Sequence, residues 1–307
     1  MNLITLVENT PGAEHCIHEH GLSIYIETQK HKILLDTGAT DAFMKNAEIL
    51  GIDLTQVDTV VLSHGHYDHA GGLMDFVEVN HKAAIYMRPT AGKAYYHVYA
   101  DGAKYIGMDS RIRKLPQVIY TREHEILDEE ITLFSGVQGR RLWPRGNQSL
   151  KVLTEGGFEP DRFEQDRFVK NGFEQDAKEC FAQNIFEQDC FDHEQALVIR
   201  EQGESILISG CAHNGILNIL DRYWELYGTW PDRVITGFHM KKSIPFTAED
   251  KEVAVATAEA LKQIGDTIFY SGHCTGEEAF AIMKEILGER LQALHSGEVI
   301  YNRGTDR

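Results

Sequence analysis

The chain lacks the features of a secreted or membrane-spanning protein. It contains 5 cysteines in 307 residues, an odd number with no Cys-x-x-Cys pair, which argues against a disulfide framework. No run approaches the roughly 18 consecutive apolar residues that a membrane span requires. The first eight residues have no basic region of the kind that opens a signal peptide. We therefore expect a cytoplasmic protein with no membrane partner.

Positive charge is also scarce. Lys and Arg total 30 against 47 Asp and Glu, a formal net charge of −17, which argues against a nucleic-acid partner. A local basic pocket could still hold a phosphorylated small molecule. The length and the 42% hydrophobic content suit a single domain over residues 1–307, and a homo-oligomer stays open.

The strongest signal that is present is His-x-His-x-Asp-His, formed by His64, His66, Asp68 and His69 after an apolar run of strand length. Imidazole nitrogens and carboxylate oxygens bind divalent metals at about 2.0–2.2 Å. Alternate side chains of an extended turn project to one side, so His64 and His66 could bind one ion, and Asp68 and His69 a second beside it. The alternative is an exposed histidine cluster, which the preceding strand and the following Gly71-Gly72 disfavour.

Hydrophobic periodicity predicts two similar halves, each rich in strands and then helical. The predicted strands cover 1–7, 22–27, 32–36, 58–63, 83–87, 117–120, 195–200, 205–209, 233–237 and 267–270, and the predicted helices cover 40–50, 216–226, 248–264 and a segment opened by a capping box at 275–278. This order favours an α/β fold, a four-layer αββα sandwich of two mixed β-sheets.

Three strands of the second half end in a glycine followed by a histidine: His213, His239 and His273. One such histidine is usually structural, but three in one pattern favour a common site. We expect His213 to complete the first metal site and His273 the second. His239 would then contact substrate or donate a proton.

Further candidates surround these histidines. Cys211 is either close to the metals or a buried thiol, and Asp36 is expected to orient a ligand imidazole. Thr275 is either a helix cap or part of an anion cradle at a helix start. The candidate substrate-binding residues are His20, His239, Lys241, Thr275 and Gly276.

An insert at about 158–190 repeats Phe-Glu-Gln-Asp three times at irregular spacing, which suggests either a lid over the cleft or a surface excursion. Tyrosines between 95 and 105 could line a pocket for a flat ring or simply pack.

Together these residues resemble the metallo-β-lactamase superfamily, whose hallmark is the His-x-His-x-Asp-His element preceded by a strand ending in Asp-x-Gly, here Asp36-Thr-Gly38. Within it, the Gly-Cys-Ala-His and Gly-His-Cys-Thr-Gly segments resemble the 7,8-dihydropterin-6-yl-methyl-4-(β-D-ribofuranosyl)aminobenzene 5′-phosphate synthases. The resemblance implies two divalent ions, Zn²⁺ with Fe or Mn as alternatives, bound by His64, His66 and His213 and by Asp68, His69 and His273. Many members have a bridging aspartate where this chain has Cys211.

The resemblance implies an enzyme in which two ions polarise a phosphoryl or ester oxygen, with Asp68 as proton acceptor and His239 as a second catalytic residue. The leading expectation is a pyrophosphate-releasing condensation on a phosphorylated, pterin-like substrate. The alternatives are a binuclear hydrolase of a phosphodiester, nucleotide or ester, and a metal-dependent binding protein without turnover.

Overall fold

Two seven-stranded mixed sheets form the centre of the protein. The computed structural model describes residues 1–153, 186–240 and 245–302. The first sheet has the spatial order β18 (Val299–Asn302), β1 (Asn2–Val7), β2 (Ser23–Glu27), β3 (Lys32–Leu35), β4 (Thr59–Val61), β5 (Ala84–Met87) and β8 (Val118–Tyr120). Strands β3, β4, β5 and β8 are mutually parallel, and the remaining pairs are antiparallel.

The second sheet pairs its strands in a matching way. Its order is β17 (Leu291–Ala293), β16 (Ile268–Ser271), β15 (Arg233–Thr236), β14 (Glu204–Ser209), β13 (Ala196–Glu201), β10 (Ile131–Phe134) and β9 (His124–Ile126). Strands β14 to β17 are parallel, so β14, β15 and β16 bring their carboxyl ends to one edge. That edge is where ligands bind in open α/β sheets.

Helices cover the outer face of each sheet. The helices are α1 (Ala42–Ile49), α2 (Tyr67–Ala70), α3 (Leu73–Val79), α4 (Ile216–Tyr227), α5 (Ala248–Lys262) and α6 (Glu277–Leu287). Phe43 of α1 and Phe76 of α3 belong to one core cluster with Leu34 of β3. Leu220 of α4 and Leu261 of α5 belong to another with residues of the second sheet.

A third core cluster lies between the two sheets and includes Leu35 of β3 and Leu197, Ile199 and Ile208 of the second sheet. Successive residues of a strand point to opposite faces, so strands buried on both faces are apolar throughout. In β14, Leu207 accordingly packs under the helices while Ile208 packs between the sheets. The predicted αββα sandwich is confirmed.

A four-stranded sheet that the sequence did not predict lies beside the sandwich. Its order is β12 (Phe186–Gln188), β11 (Leu150–Leu153), β6 (Tyr95–Tyr99) and β7 (Gly102–Tyr105). Strand β12 is the Phe-Glu-Gln part of the last Phe-Glu-Gln-Asp repeat, and most of the predicted insert at 158–190 lies outside the described residues. Its role as a lid stays a prediction.

Of the two capping boxes predicted at helix starts, the structure contains one. Thr247 and Asp250 form the predicted capping box at the start of α5. The capping box predicted at 275–278 is wrong, because the N-cap residue of α6 is Gly276 and no side chain caps it. Among the described residues, no helix has the length and apolar character needed to cross a membrane.

Ile199→Ala should lower the free energy of unfolding by about 2–5 kcal/mol, because Ile199 is fully buried between the sheets and its truncation leaves a cavity. Urea denaturation measures the change. Ile126→Ala, at a position on β9 that is 65% exposed, is the matched control and should change it by less than about 0.5 kcal/mol. Equal effects of the two variants would contradict the assigned core.

Candidate metal centre

The predicted site residues meet where strands of both sheets end. Four non-glycine residues in the turns that follow these strands have a left-handed backbone: Asp36 (φ 57°), Ala212 (φ 53°), His239 (φ 48°) and His273 (φ 47°). Such conformations are unfavourable for residues with a Cβ and persist only where the surrounding structure enforces them. They concentrate here because each turn must aim a side chain back toward the same point.

The first predicted triad is assembled. The ligand nitrogens of His64, His66 and His213 lie within 4.8 Å of one another. The Nε2 atom of each ring is buried without a hydrogen-bond partner among the described residues. His64 Nδ1 lies 2.9 Å from Ser63 Oγ, and His213 Nδ1 lies 3.0 Å from Asn147 Oδ1. Partners at Nδ1 orient these two rings and leave Nε2 available to a cation.

The protonation of this triad also suits metal binding. Burial lowers the pKa of His64 and His213 well below the usual value, and lowers the pKa of His66 to about 3. The neighbouring imidazoles act in the same direction because like charges repel. All three rings are therefore neutral at pH 7, which is the form that binds a metal.

The second predicted triad is equally compact. His69 Nε2 lies 3.2 Å from His273 Nε2, and Asp68 Oδ2 lies 3.3 Å from His273 Nε2 and 3.9 Å from His69 Nε2. Bonds of about 2.0–2.1 Å in a tetrahedron place ligand atoms about 3.3 Å apart. The three atoms are thus spaced as ligands of one small cation.

Hydrogen bonds from outside the triad orient these rings too. Asp36 Oδ2 lies 2.7 Å from His69 Nδ1 and accepts from Ser63 Oγ at 2.6 Å, as expected for a carboxylate that orients a ligand. Burial opposes the charge on His69, but the carboxylates of Asp36 and Asp68 raise its pKa to about 9. Burial likewise opposes the charge on Asp68, but the adjacent His69 and His273 hold its pKa well below the usual range.

His20 and His239 lie at the margins of the two triads. His20 Nε2 is 3.3 Å from Asp68 Oδ2, and its side chain is 51% exposed. The half-buried His239 ring is 4.0 Å from that of His213. Both therefore lie where a substrate could reach them.

The other predicted substrate contacts are Thr275, Gly276 and Lys241, and their outcomes differ. Thr275 is buried, its hydroxyl accepts from Phe238 N at 3.0 Å and it lies 2.7 Å from Ser271 Oγ. It therefore ties two strand ends together instead of facing a ligand. Gly276, with a φ of 81°, begins α6 and its role stays a prediction. Lys241 lies outside the described residues.

The tyrosines of the third sheet serve mainly in packing. Tyr95 is buried, donates to Thr90 O at 2.7 Å and packs on His193 at 4.1 Å between ring centroids. Tyr105 donates to Met108 O at 2.9 Å. Tyr99 is 42% exposed and is the member of the group best placed to meet a ligand.

Sequence reasoning missed several supporting residues. His193 Nδ1 accepts from Gly65 N at 3.0 Å, and its Nε2 lies 3.1 Å from Asp189 Oδ2, so this pair fixes the turn between His64 and His66. Gly65 is required there, because a Cβ would approach Ala91 O to 2.0 Å. The only local signal for His193 was its place just before a predicted strand.

Two more supporting residues hold the chain around His213. Glu194 accepts from His213 N at 2.6 Å and from Asn214 N at 2.8 Å. Asn147 donates from its side-chain amide to His213 O at 2.7 Å. Nothing in the sequence around Asn147 indicated this role.

The first triad thus fits a divalent cation, because its three buried nitrogens are close together and lack partners among the described residues. The second triad has buried N and O donors at a suitable spacing, and His69 would release its proton on binding an ion. Comparison with known proteins agrees. The metallo-β-lactamase superfamily model matches residues 18–157. The chain is 26% identical to the 7,8-dihydropterin-6-methyl-4-(β-D-ribofuranosyl)-aminobenzene-5′-phosphate synthase of Methanocaldococcus jannaschii, covering 98% of this chain and 96% of that protein.

Solved structures show the same architecture. Tm1679, described as a metal-dependent hydrolase of the β-lactamase superfamily, is 26% identical with a TM-score of 0.76, covering 98% of this chain and 99% of that one. Zn²⁺-bound PqqB from Methylobacterium extorquens shares the fold at 12% identity and a TM-score of 0.52, covering 98% of this chain and 100% of that one. By these comparisons the chain is similar to metallo-β-lactamase superfamily proteins, with the family model matching its first half and the solved structure matching nearly its whole length. Among such proteins it resembles the dihydropterin synthase.

Asp36→Asn should weaken metal binding by about 10–100-fold, because it removes the charged acceptor that orients His69 and Ser63. Competition with a chromophoric chelator measures the affinity. Asp58→Asn is the matched control, since Asp58 Oδ1 lies 3.1 Å from His31 Nδ1 away from the centre. A similar loss of affinity in both variants would argue against a specific role for Asp36.

The metal-free protein should lose stability as the pH falls from about 6.5 toward 3. His66 has a usual pKa of 6.5 when unfolded and about 3 when folded, so only the unfolded chain binds its proton in this window. Its contribution is present above pH 6.5 and falls by about 1.4 kcal/mol per pH unit below it. Urea denaturation of chelator-treated protein between pH 7.5 and 5 measures the slope. In His66→Gln the slope should be smaller, and an unchanged slope would contradict the assigned burial of a neutral ring.

Proposed function

We propose that the protein is a metal-dependent enzyme acting on a phosphorylated small molecule. One divalent ion would be held by His64, His66 and His213, and a second by Asp68, His69 and His273. The observation that carries the proposal is the pair of adjacent triads, one with three unpartnered Nε2 atoms and the other with donors 3.2–3.9 Å apart. Two ions so placed would supply Lewis-acid charge for oxygens that become negative during the reaction.

The reaction we favour is the condensation that joins a dihydropterin to a ribosylated aminobenzene phosphate, because the similarity to the synthase extends over 98% of the chain. The pterin methylene carbon would form a bond to the aromatic acceptor while its bond to a pyrophosphate oxygen breaks. The acceptor would lose one proton in the process. Zn²⁺ is the ion we expect, with Fe or Mn as alternatives.

The residues of this chain provide the means to bind and move that proton. Asp68 is ionised at neutral pH and its Oδ2 faces His20, so a proton taken by the carboxylate can pass to a ring that reaches solvent. The Nδ1 atom of His239 is buried without a hydrogen-bond partner among the described residues. We assign His239 to contact a substrate oxygen beside His213.

A lysine lies beside the turn that carries His64 and His66. Lys104 Nζ is 5.0 Å from the centre of the Tyr67 ring, and Tyr67 follows His66 directly. The pKa of His97, in the adjacent strand β6, is lowered by burial and by the neighbouring His239 and Lys104. His97 is therefore held in its neutral form, and Lys104 of strand β7 supplies a positive charge beside Tyr67 in an otherwise acidic protein, which suits a phosphorylated substrate.

The second candidate is a binuclear hydrolase of a phosphodiester, nucleotide or ester, which the similarity to Tm1679 favours. It would use the same residues with water as the nucleophile. A cytoplasmic location and a small-molecule partner remain part of the proposal in either case.

Product analysis separates these functions. Metal-loaded protein should release pyrophosphate from a dihydropterin pyrophosphate only when ribosylaminobenzene phosphate is present. Turnover of bis(p-nitrophenyl) phosphate with water alone would favour the hydrolase instead. Tight binding of these compounds with no turnover of either would favour a binding protein and overturn the proposal.

His66→Ala should reduce turnover by at least about 100-fold, because loss of a direct metal ligand should cost no less than loss of a supporting residue. Steady-state kinetics with metal content measured in parallel tests this. His124→Ala, an exposed histidine on β9, is the control and should retain activity. Full activity of His66→Ala would remove His66 from the centre.

A further inference from the structure

Cys211 lies between the two triads. Its Sγ atom is 3.2 Å from His69 Nε2, and it forms a compact group with the ligand nitrogens of His64 and His69, all within 4.8 Å. His64 belongs to the first triad and His69 to the second. The Cys211 sulfur therefore lies close to a nitrogen of the first triad, from His64, and to a nitrogen of the second triad, from His69.

The turn that carries Cys211 holds it in this place. Gly210 packs so closely on the metal-binding turn that a Cβ would approach Ser63 Oγ to 2.2 Å. Ala212 has a left-handed backbone, which returns the chain toward His213. Cys211 itself is 3% exposed, so its sulfur cannot turn away into solvent.

We propose that the Cys211 thiolate is a ligand shared by the two metal ions. The inference rests on the proposed binuclear centre and specifies a donor beyond the six residues assigned to it. Divalent ions such as Zn²⁺ bind thiolate at about 2.3 Å, and an adjacent cation deprotonates a coordinating thiol outright.

A second buried cysteine provides the contrast. Cys274 Sγ groups with Cys211 and His239 within 4.8 Å, and it lies 3.6 Å from Cys211 O. It also lies where a Cβ on Gly237 would approach to 2.3 Å, which places it among the ends of β15 and β16. Cys274 therefore supports Cys211 from outside the triads and is the matched control.

The shared thiolate should affect which metal is bound. Thiolate favours Zn²⁺, Co²⁺ and Cd²⁺, whereas carboxylate favours harder ions such as Mn²⁺. Cys211→Asp should therefore shift the preference from Zn²⁺ toward Mn²⁺ in direct competition.

Cobalt loading of the full chain tests the proposal. The wild type and Cys274→Ser should bind two Co²⁺ and show a sulfur-to-cobalt charge-transfer band in the near ultraviolet. In Cys211→Ser the band should be lost, while circular dichroism shows the fold retained. X-ray absorption of the Zn²⁺ protein should detect sulfur at about 2.3 Å.

Each other result is decisive. Two bound Co²⁺ without the band in the wild type, or a band that persists in Cys211→Ser, would overturn the shared thiolate and leave the binuclear function intact. Fewer than two Co²⁺ in the wild type would overturn the binuclear centre itself. Loss of the band only in Cys274→Ser would identify Cys274 as the sulfur ligand and would overturn the proposal for Cys211.

Discussion

The constraint on which this structure depends is the burial of candidate metal-ligand side chains whose polar atoms lack hydrogen-bond partners in the part of the protein that the structure describes. Three imidazole Nε2 atoms have none among the described residues, and each buried unpaired polar group costs about 1–3 kcal/mol. His69 and His273 bring two more ring nitrogens within 3.2 Å. Bound cations would satisfy all of these atoms at once, so the same burial that destabilises the metal-free fold would favour metal binding.

That arrangement is possible because the surrounding fold supplies hydrogen bonds from several directions. Asp36 orients His69, Asn147 lies against His213, and Asn9 Oδ1 lies 2.9 Å from His273 Nδ1. These supports come from separate loops and sheets. The four residues with left-handed backbone at the strand ends show that local conformational energy is spent to keep the ligands converging.

The hairpin of β6 and β7 is the part of the structure that we expect to influence substrate choice. The hairpin of β6 and β7 joins the metal-binding turn through the bond from Tyr67 N to Ile106 O, at 2.9 Å. It carries Lys104 and Tyr99 on partly exposed positions near the centre. Superfamily members share the sandwich, and many chemistries occur on such shared folds because the loops and added strands differ.

The four longer helices, ten strands of the two large sheets and the convergence of the six triad residues were predictable from the sequence, because each depends on local patterns. The short helices α2 and α3 and the strands β9, β10, β17 and β18 were not predicted. Alternating and continuous apolar runs define the strands, and a glycine followed by a histidine at a strand end marks His213 and His273. The strands of the third sheet were not predictable. Their short, tyrosine-rich segments are half-exposed, and their pairing depends on β11, which is remote in sequence.

What the sequence determined by itself was the chemical inventory and its placement at strand ends, since side-chain identity and hydrophobic period are local properties. Only the tertiary structure decided how the remaining polar residues are used. It turned Thr275 inward, placed His193 behind the metal-binding turn 128 residues away, and put Cys211 against His69 across 142 residues. Those contacts are fixed by how the two sheets pack, and sheet packing sums many weak apolar contacts that no local pattern records.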